Sequence, residues 1–335
     1  MKKCFLLFWA VLFAVASGAS ALESVKVGWV ATLGYAPMLV AMEKGYYRNL
    51  GLEIKLEPLP GGGDVLVMTA AGHFDVGGAA LGARAWNAFK AGMEFVLVAP
   101  FWLDAPPLSS PLLVRKELAE KGLVKSIKDL KGHKVAVNAV GVSTEYNLEK
   151  ALNTEGMSIK DVEMVTIPFP LMPQALATGA IDAAVGSEPF VAMAVKKGYA
   201  VVLSDDYITY QPVVIFYNKE FATKRRKVAE GFMTGLLKGA RDLYFQGWKT
   251  DEHARIIEKY TKIPAETVKE VNPPFVDPNG RFDLADLMLQ QEFQMKRGYL
   301  KYTDKIEVNR MINSSFVEAA LKALGEIKGV EIRRR

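Results

Sequence analysis

The sequence predicts an α/β protein built from two similar lobes, each an open, mostly parallel sheet flanked by helices. The first observation is the stretch 178–205, where a short apolar run bounded by Gly179 and Gly186 is typical of a buried strand. Pro189 then opens a helical pattern that ends at Gly198, and a second apolar run follows. This order predicts a strand, helix, strand unit with parallel strands.

The second observation is that this unit occurs twice. Residues 71–100 show the same order, and their Asp75 precedes Asp182 by 107 residues (182 − 75). A further matching pair begins at Val27 and Val135, 108 residues apart (135 − 27). Strand carboxyl ends and helix amino ends lie on one edge of such a sheet, so two facing edges would form a cleft between the lobes.

The first lobe begins with alternating strands and helices. Its helices start at turn-forming or small residues, and its strands are bounded by glycine and proline. The predicted strands are 25–31, 52–59, one at Asp75 and 95–100, and the helices begin near Pro37, Asp64 and Gly82.

The second lobe follows the proline-containing connector 101–107. The chain returns near Tyr210, and the patterns at 222–323 are almost wholly helical, so we expect these helices to pack on the first lobe. The second-lobe strands are predicted at 111–114, 134–139, 162–167, 181–185 and 199–203, with a returning strand at 213–217. The predicted organisation is a signal peptide at 1–21, the first part of lobe 1 at 22–105, lobe 2 at 106–210 and the mainly helical second part of lobe 1 at 211–335.

The amino-terminal segment has the features of a secretory signal peptide. Lys2 and Lys3 precede an apolar run at 5–15, and a small-residue site ends at Ala21, after which cleavage is expected. The single cysteine, Cys4, lies before the apolar run and cannot be a lipid-modified cysteine that follows it. The mature protein is therefore expected in the periplasm, without disulfides, a thiolate nucleophile or a cysteine metal site.

Charge argues against a nucleic-acid partner. The chain has 42 basic and 37 acidic residues, and loss of the two signal lysines leaves 40 against 37, or +3. The basic runs 224–227 and 333–335 are typical of a solvated helix face and a frayed tail. No segment after the signal is apolar enough to span a membrane.

Several stretches together resemble the periplasmic substrate-binding proteins of the nitrate, sulfonate and taurine type, which are related to thiamine-pyrimidine precursor binding proteins. The resemblance covers about Val25 to Tyr260. It is carried by GYAPMLVAMEKGYYRNLGLEIKL, FDVGGAA, SIKDLKGHKVAVNAVGVSTEYNLEKAL, GAIDAAVGSEPF and VVIFYNKEF.

The resemblance implies a type II periplasmic binding protein with two hinged lobes. Such a protein holds its ligand between the lobes and delivers it to the permease subunits of an ABC importer. We also expect a monomer that carries no cofactor and no metal. Ser187 stands where many relatives carry a tryptophan, so the resemblance does not carry over the ligand's identity.

Two loops are candidate sites for an anionic group. Val142, Ser143 and Thr144 begin a helix after a strand, where free backbone N–H groups favour anions; alternatively, Ser143 only caps its own helix. The matching place in the first lobe holds small residues that would admit a ligand to the backbone or would serve close packing. These are Gly77, Gly78 and Ala79.

Aromatic residues and one acid complete the predicted ligand site. The aromatic rings would wall the cleft or belong to the ordinary core. Glu188 would accept hydrogen bonds from a ligand amine or amide, or would only complement the dipole of its helix. The remaining predicted ligand residues are Gly34, Tyr35, Phe101, Trp102, Phe169 and Tyr210.

The sequence gives little support for a catalytic or metal site. His73, His133 and His253 lack ligand spacing, and the glycine run 61–63 lacks the lysine and serine of a phosphate loop. We therefore expect a binding protein for uptake and no enzyme. One alternative is an enzyme on the same fold, such as a pyrimidine-precursor synthase or a deaminase that attaches its cofactor through cysteine. The other is a ligand sensor without transport. The signal peptide and the cysteine-free mature chain argue against the enzyme.

Overall fold

A computed structural model describes residues 21–59 and 61–330 and shows two five-stranded sheets within them. The predicted signal peptide up to residue 20, Pro60 and the run Arg333–Arg335 lie outside the described residues. The first sheet contains β1 (Glu23–Trp29), β2 (Leu52–Pro58), β3 (Val76–Ala80), β4 (Phe95–Asp104) and β10 (Tyr210–Asn218). The second contains β5 (Leu112–Arg115), β6 (Lys134–Val137), β7 (Glu163–Thr166), β8 (Ala183–Val185) and β9 (Ala200–Ser204).

The two sheets have the same topology. Their strand orders are β2-β1-β3-β10-β4 and β7-β6-β8-β5-β9. In each sheet the fourth position is held by a strand next to a crossing between the lobes, and that strand is antiparallel to both neighbours. The expected strand, helix, strand units are therefore present, but their two strands do not pair with each other, because β10 separates β3 from β4 and β5 separates β8 from β9.

Asp75 and Asp182, the acids of the sequence repeat, have the same structural role. Asp75 accepts the backbone amide of Lys26 at 2.9 Å, and Asp182 accepts the backbone amide of Lys134 at 3.1 Å. Each carboxylate also pairs with an arginine at 3.1 Å. Each aspartate of the repeat therefore makes the same hydrogen bond to the first parallel strand of its sheet. This shared contact explains why the aspartate follows that strand at nearly the same distance in both lobes.

Helices cover both sheets. The positions broadly follow the apolar patterns, since each helix turns its apolar side toward a sheet or a neighbouring helix. Among the described residues, no helix has both the length and the apolar character needed to cross a membrane. The helices are α1 (Ala36–Glu43), α2 (Gly62–Ala70), α3 (Ala83–Lys90), α4 (Lys116–Glu120), α5 (Ser143–Asn153), α6 (Met172–Thr178), α7 (Phe190–Lys196), α8 (Lys219–Lys224), α9 (Arg226–Gln246), α10 (Asp251–Thr261), α11 (Ala265–Glu270), α12 (Leu284–Lys296) and α13 (Ser315–Leu324).

Helix α12 packs on both lobes, whereas the sequence predicted that the carboxyl-terminal helices pack on the first lobe. Leu287 is fully buried in the first-lobe core with Trp86 and Leu97. Two turns further on, Phe293 lies in the second-lobe core, where its ring meets that of Tyr146 edge to face at 5.4 Å. This helix therefore spans the two lobes, a contact between distant segments that local periodicity does not report.

Candidate functional site

A cleft of about 400 Å³ lies between the two sheets. It is formed by residues that follow strands β1, β3, β6, β7 and β8, so the strand carboxyl ends and helix amino ends of both lobes face it. Eleven of the thirteen predicted ligand residues line it: Gly34, Tyr35, Gly78, Ala79, Trp102, Val142, Ser143, Thr144, Phe169, Glu188 and Tyr210. Gly77 and Phe101 are not among the lining residues.

The glycine segment of the first lobe was predicted in the loop that matches the start of helix α5, but it lies in a strand. Gly77 and Gly78 lie inside strand β3, and the following helix α3 begins at Ala83 with Gly82 as its N-cap. A Cβ on Gly77 would lie 2.6 Å from the Phe216 ring, so this glycine serves packing behind the sheet. Gly78 faces the opposite side, at the cleft.

Tyr35 contributes a wall of the cleft and is also part of the first-lobe core. Its hydroxyl donates to the Gly78 carbonyl at 2.5 Å, and its ring meets Phe101 edge to face at 4.6 Å. Burial raises the pKa of Tyr35 well above its usual value. The hydroxyl is therefore engaged within the protein, and Phe101, which is buried beside it, lies in the first-lobe core.

Trp102 is a half-buried side chain on the cleft wall. Gly34 is required beside it, because a Cβ on Gly34 would overlap the Trp102 indole. Phe169, in the short turn after β7, is also half-buried and lines the second-lobe side. The cleft therefore offers an aromatic face from each lobe.

Helix α5 begins on the cleft, but its predicted hydroxyl pair divides into two roles. Val142 is the N-cap and Ser143 the first helical residue, and neither makes a side-chain cap. Thr144 donates its hydroxyl to Asn138 Oδ1 at 2.5 Å. In the described part of the chain the Ser143 hydroxyl has no hydrogen-bond partner, so of the two it is the one open to a ligand.

Glu188 binds the amino end of its own helix and also lies on the cleft. Its Oε2 accepts the Ala192 backbone amide of helix α7 at 3.0 Å, and the side chain also lines the cleft. Burial raises the pKa of Glu188 to about 7, against the lowering effect of that amide. A carboxyl group that is 7% exposed and titrates near neutrality can accept from a ligand N–H group or, when protonated, donate.

Arg84 is a cleft residue that the sequence reasoning missed. It lies in the first turn of helix α3 and is 67% exposed, with Nη1 4.0 Å from Asp64 Oδ1. Among the described lining residues it is the sole basic side chain, and Glu188 is the sole acidic one. Its position two residues after Gly82, near which the helix was expected to begin, was the available signal.

The connector between the lobes forms the base of the cleft. Asp104 is fully buried and accepts the Ser109 amide at 2.7 Å and the Ser110 amide at 3.0 Å. Burial raises the pKa of Asp104 to about 6. Tyr210 pairs with Asp104 between strands β10 and β4. Its hydroxyl accepts a hydrogen bond from the Asn147 side-chain amide at 3.1 Å, so this hydroxyl already has a partner within the protein.

A comparison with known protein families gives a direct match. Residues 18–258 match the NMT1-like family. The chain belongs to the NMT1-like family. One relative of this NMT1-like protein, named for thiamine biosynthesis and found in Haemophilus influenzae, is 24% identical over 291 residues, which cover 83% of this chain and 87% of the relative.

Two solved structures share the fold of this NMT1-like chain. The alkanesulfonate-binding protein SsuA of Xanthomonas axonopodis pv. citri, bound to MOPS, has a TM-score of 0.68 at 18% identity and covers 88% of this chain and 99% of its own. The periplasmic nitrate-binding protein NrtA of Synechocystis PCC 6803 has a TM-score of 0.73 at 17% identity, with coverage of 91% and 89%. The two-lobed periplasmic binding protein fold and the resemblance to the sulfonate and nitrate type are thereby confirmed.

Metal-ligating side chains do not gather in the described ranges. No group of three or more His, Cys, Asp or Glu residues there could hold an ion. Of the three histidines, His133 pairs with Asp182 at 3.0 Å and His253 contacts the Gly247 carbonyl at 2.7 Å, so both have structural partners.

Proposed function

We propose that this NMT1-like chain is an extracytoplasmic solute-binding protein that captures a small organic molecule between its lobes and delivers it, as a monomer, to the permease of an ABC importer. The observation that carries the proposal is the cleft, to which both sheets contribute backbone, aromatic and polar groups. The family and the fold support it, since structural neighbours include periplasmic binding proteins. The predicted signal peptide agrees with a periplasmic location.

The polar groups of the cleft favour a ligand with two different ends. Arg84 and the open Ser143 hydroxyl, at the amino ends of helices α3 and α5, favour an anionic or strongly accepting group. Glu188 favours a hydrogen-bond donor such as an amine or amide. The ligand class we propose is therefore a small organic molecule with an accepting end and a donating end.

The aromatic walls favour an apolar or aromatic body between those ends. Trp102 and Phe169 would stack on it and replace water at its faces. A bare inorganic ion fits this cleft less well, because the rings would leave part of its surface without hydrogen bonds and its desolvation uncompensated.

A thermal-shift panel tests the proposal. Sulfonates, carboxylates, amides and aminopyrimidines are each added to the purified protein, and a ligand at a hundredfold excess over its Kd should stabilise it by about 2.7 kcal/mol through mass action. Absence of a shift with every compound would contradict the solute-binding function.

Calorimetry with the compound that gives the largest shift then tests the site. Ser143→Ala should weaken binding by roughly tenfold, the loss expected when one hydrogen bond to a charged acceptor is removed. Trp102→Ala should weaken binding of the ligand body and leave the secondary structure intact. Ser126→Ala, an exposed serine of the second lobe, is the matched control. Unchanged affinity in both cleft variants would show that other residues hold the ligand.

An enzyme on the same fold is the second candidate, favoured by the thiamine-biosynthesis name of the Haemophilus influenzae relative. A binding protein returns its ligand unchanged, whereas an enzyme converts it. Mass spectrometry of the bound compound after prolonged incubation separates the two functions, and a time-dependent new mass that is absent with heat-denatured protein would favour the enzyme.

A further inference from the structure

Glu145 is a fully buried carboxylate at the place where the two lobes meet. It lies in the first turn of helix α5, directly behind the loop that faces the cleft. Its Oε2 accepts the backbone amide of Gly141 at 2.7 Å. This hydrogen bond fixes the backbone at which the cleft-lining segment 142–144 begins.

The other oxygen of the same carboxylate reaches across to the carboxyl-terminal segment after helix α12. Glu145 Oε1 accepts Arg297 Nε and the Tyr299 hydroxyl, each at 2.8 Å, and Arg297 also donates to the Tyr299 hydroxyl at 3.0 Å. Asn87 of helix α3 donates to the Tyr299 carbonyl at 2.9 Å and thereby ties this segment to the first lobe.

We propose that Glu145, Arg297 and Tyr299 form an interlobe clasp that positions the Gly141 loop and holds the cleft closed. Three contacts converge there: the Gly141 amide donates to Glu145, Arg297 donates to Glu145, and the Ala83 amide donates to the Gly141 carbonyl at 2.9 Å. The proposal deepens the function proposed above, because a clasp has a purpose in a cleft that opens and closes around a solute.

The proposed clasp implies two states, one paired and one hydrated. In the closed arrangement the Glu145 carboxylate is shielded from water and hydrogen-bonded at both oxygens. Loss of Arg297 alone would leave its charge buried without a compensating partner. When the lobes separate, water can hydrate the carboxylate and the guanidinium instead. The clasp therefore shifts the equilibrium between open and closed clefts. The size of the shift is the difference in free energy between the paired and the hydrated side chains.

Helices α5 and α12 would move apart when the lobes separate. Helices α5 and α12 touch at Tyr146 and Phe293, beside the clasp, and line a groove of about 410 Å³ with Lys150 and Glu292 among its residues. Separation of the helices therefore draws Phe293 away from Tyr146 and out of the second-lobe core.

Distance measurements between two spin labels test the clasp without any ligand. The chain from Leu22 onward contains no cysteine, so Glu155→Cys and Lys227→Cys place one label on an exposed position of each lobe. Arg297→Met removes the positive charge and the hydrogen-bond donors but keeps a long side chain. We expect the ratio of long to short interlobe distances to rise by about tenfold, the effect of losing one charged hydrogen bond. Tyr299→Phe should give a smaller shift in the same direction.

Two further variants separate the clasp from simple packing. Arg297→Lys keeps a cation in a side chain of similar size and should restore part of the closed population, whereas loss of packing alone would affect the Met and Lys variants equally. Arg281→Met removes an exposed ion pair with Glu326, at 2.6 Å, and should leave the distances unchanged.

Distances that are identical in the parent, Arg297→Met and Tyr299→Phe proteins would overturn the clasp, as would an equal shift in the Arg281→Met control. If Arg297→Met does not fold, as judged by circular dichroism, Tyr299→Phe decides. Since no ligand is added, failure of the clasp leaves the solute-binding function standing, and a thermal-shift panel without a hit leaves the clasp result unaffected.

Discussion

Ala83 of helix α3 donates its backbone amide to the carbonyl oxygen of Gly141, with 2.9 Å between the two atoms, and so joins the first lobe to the second by a main-chain hydrogen bond. Gly82 makes this approach possible, because a Cβ there would overlap the same carbonyl oxygen. The cleft therefore has a closed end at which two backbones touch, and this contact depends on a residue without a side chain.

Gly82→Ala should force the two loops apart. The added methyl group would displace the Gly141 carbonyl, break the hydrogen bond from Ala83 and lower the free energy of unfolding by about 1 kcal/mol. Small-angle scattering should show a larger radius of gyration. Gly61→Ala is the control, since a Cβ on Gly61 meets nothing within 4 Å and its φ is −157°. Equal radii for the two variants would contradict this prediction.

Glu188→Gln should change how stability depends on pH. Burial raises the pKa of Glu188 from 4.5 to about 7, so between these values the folded protein keeps a proton that the unfolded chain releases. The stabilisation is fully present below pH 4.5 and is lost as the pH rises through about 7, by up to about 3 kcal/mol. Glutamine does not titrate, so the variant should lose this part of the slope.

Urea denaturation at several pH values between 4 and 8 measures that slope. Glu155→Gln, at an exposed position, is the matched control and should keep the parent slope. Asp104, whose pKa burial raises to about 6, acts in the same direction and should account for part of the slope that remains. A slope in Glu188→Gln that equals the parent slope would show that Glu188 titrates as an ordinary exposed acid.

Tyr35→Phe should lower the free energy of unfolding and leave the shape of the cleft wall unchanged. The variant removes the hydrogen bond from the Tyr35 hydroxyl to the buried Gly78 carbonyl, at a cost of about 1–2 kcal/mol in the free energy of unfolding. Tyr199→Phe, at a half-buried position outside the cleft, should cost less. Denaturation midpoints compare the two, and equal losses would refute a special role for the Tyr35 hydroxyl.

Processing should leave a mature chain that starts at Leu22. The basic residues and the apolar run at 5–15 are typical of an export signal, and the small residues before Leu22 are typical of a signal peptidase site. Intact-mass measurement of the protein from the periplasmic fraction should show the loss of Met1 to Ala21 and no lipid. A mass that includes Cys4 with an acyl chain would end this prediction.

Local sequence information determined the elements and their order. The apolar run at 181–185 became β8 (Ala183–Val185), and the helix expected after Pro189 became α7, because glycines and prolines act on the residues next to them. The repeat of Asp75 and Asp182 also predicted the shared topology of the lobes, since both acids make the same hydrogen bond to a neighbouring strand.

The predicted site residues line the cleft where a loop follows a strand, and some lie away from it where neighbours in the chain face opposite ways. Gly77 and Gly78 are adjacent, yet Gly77 packs against Phe216 and Gly78 against Phe101. Alternation along a strand is visible in a sequence only when side chains differ in polarity, and a run of glycine and alanine has no such signal.

Only the tertiary structure decided how distant segments meet. Strands β5 and β10 insert between strands that follow one another in the chain, and Glu145 pairs with Arg297, 152 residues away. Local periodicity reports which face of an element is buried but not which partner covers it. The interlobe contacts arise from that choice of partner, because a buried charge needs a specific opposite group whose position is set by the folded chain and not by its spacing in sequence.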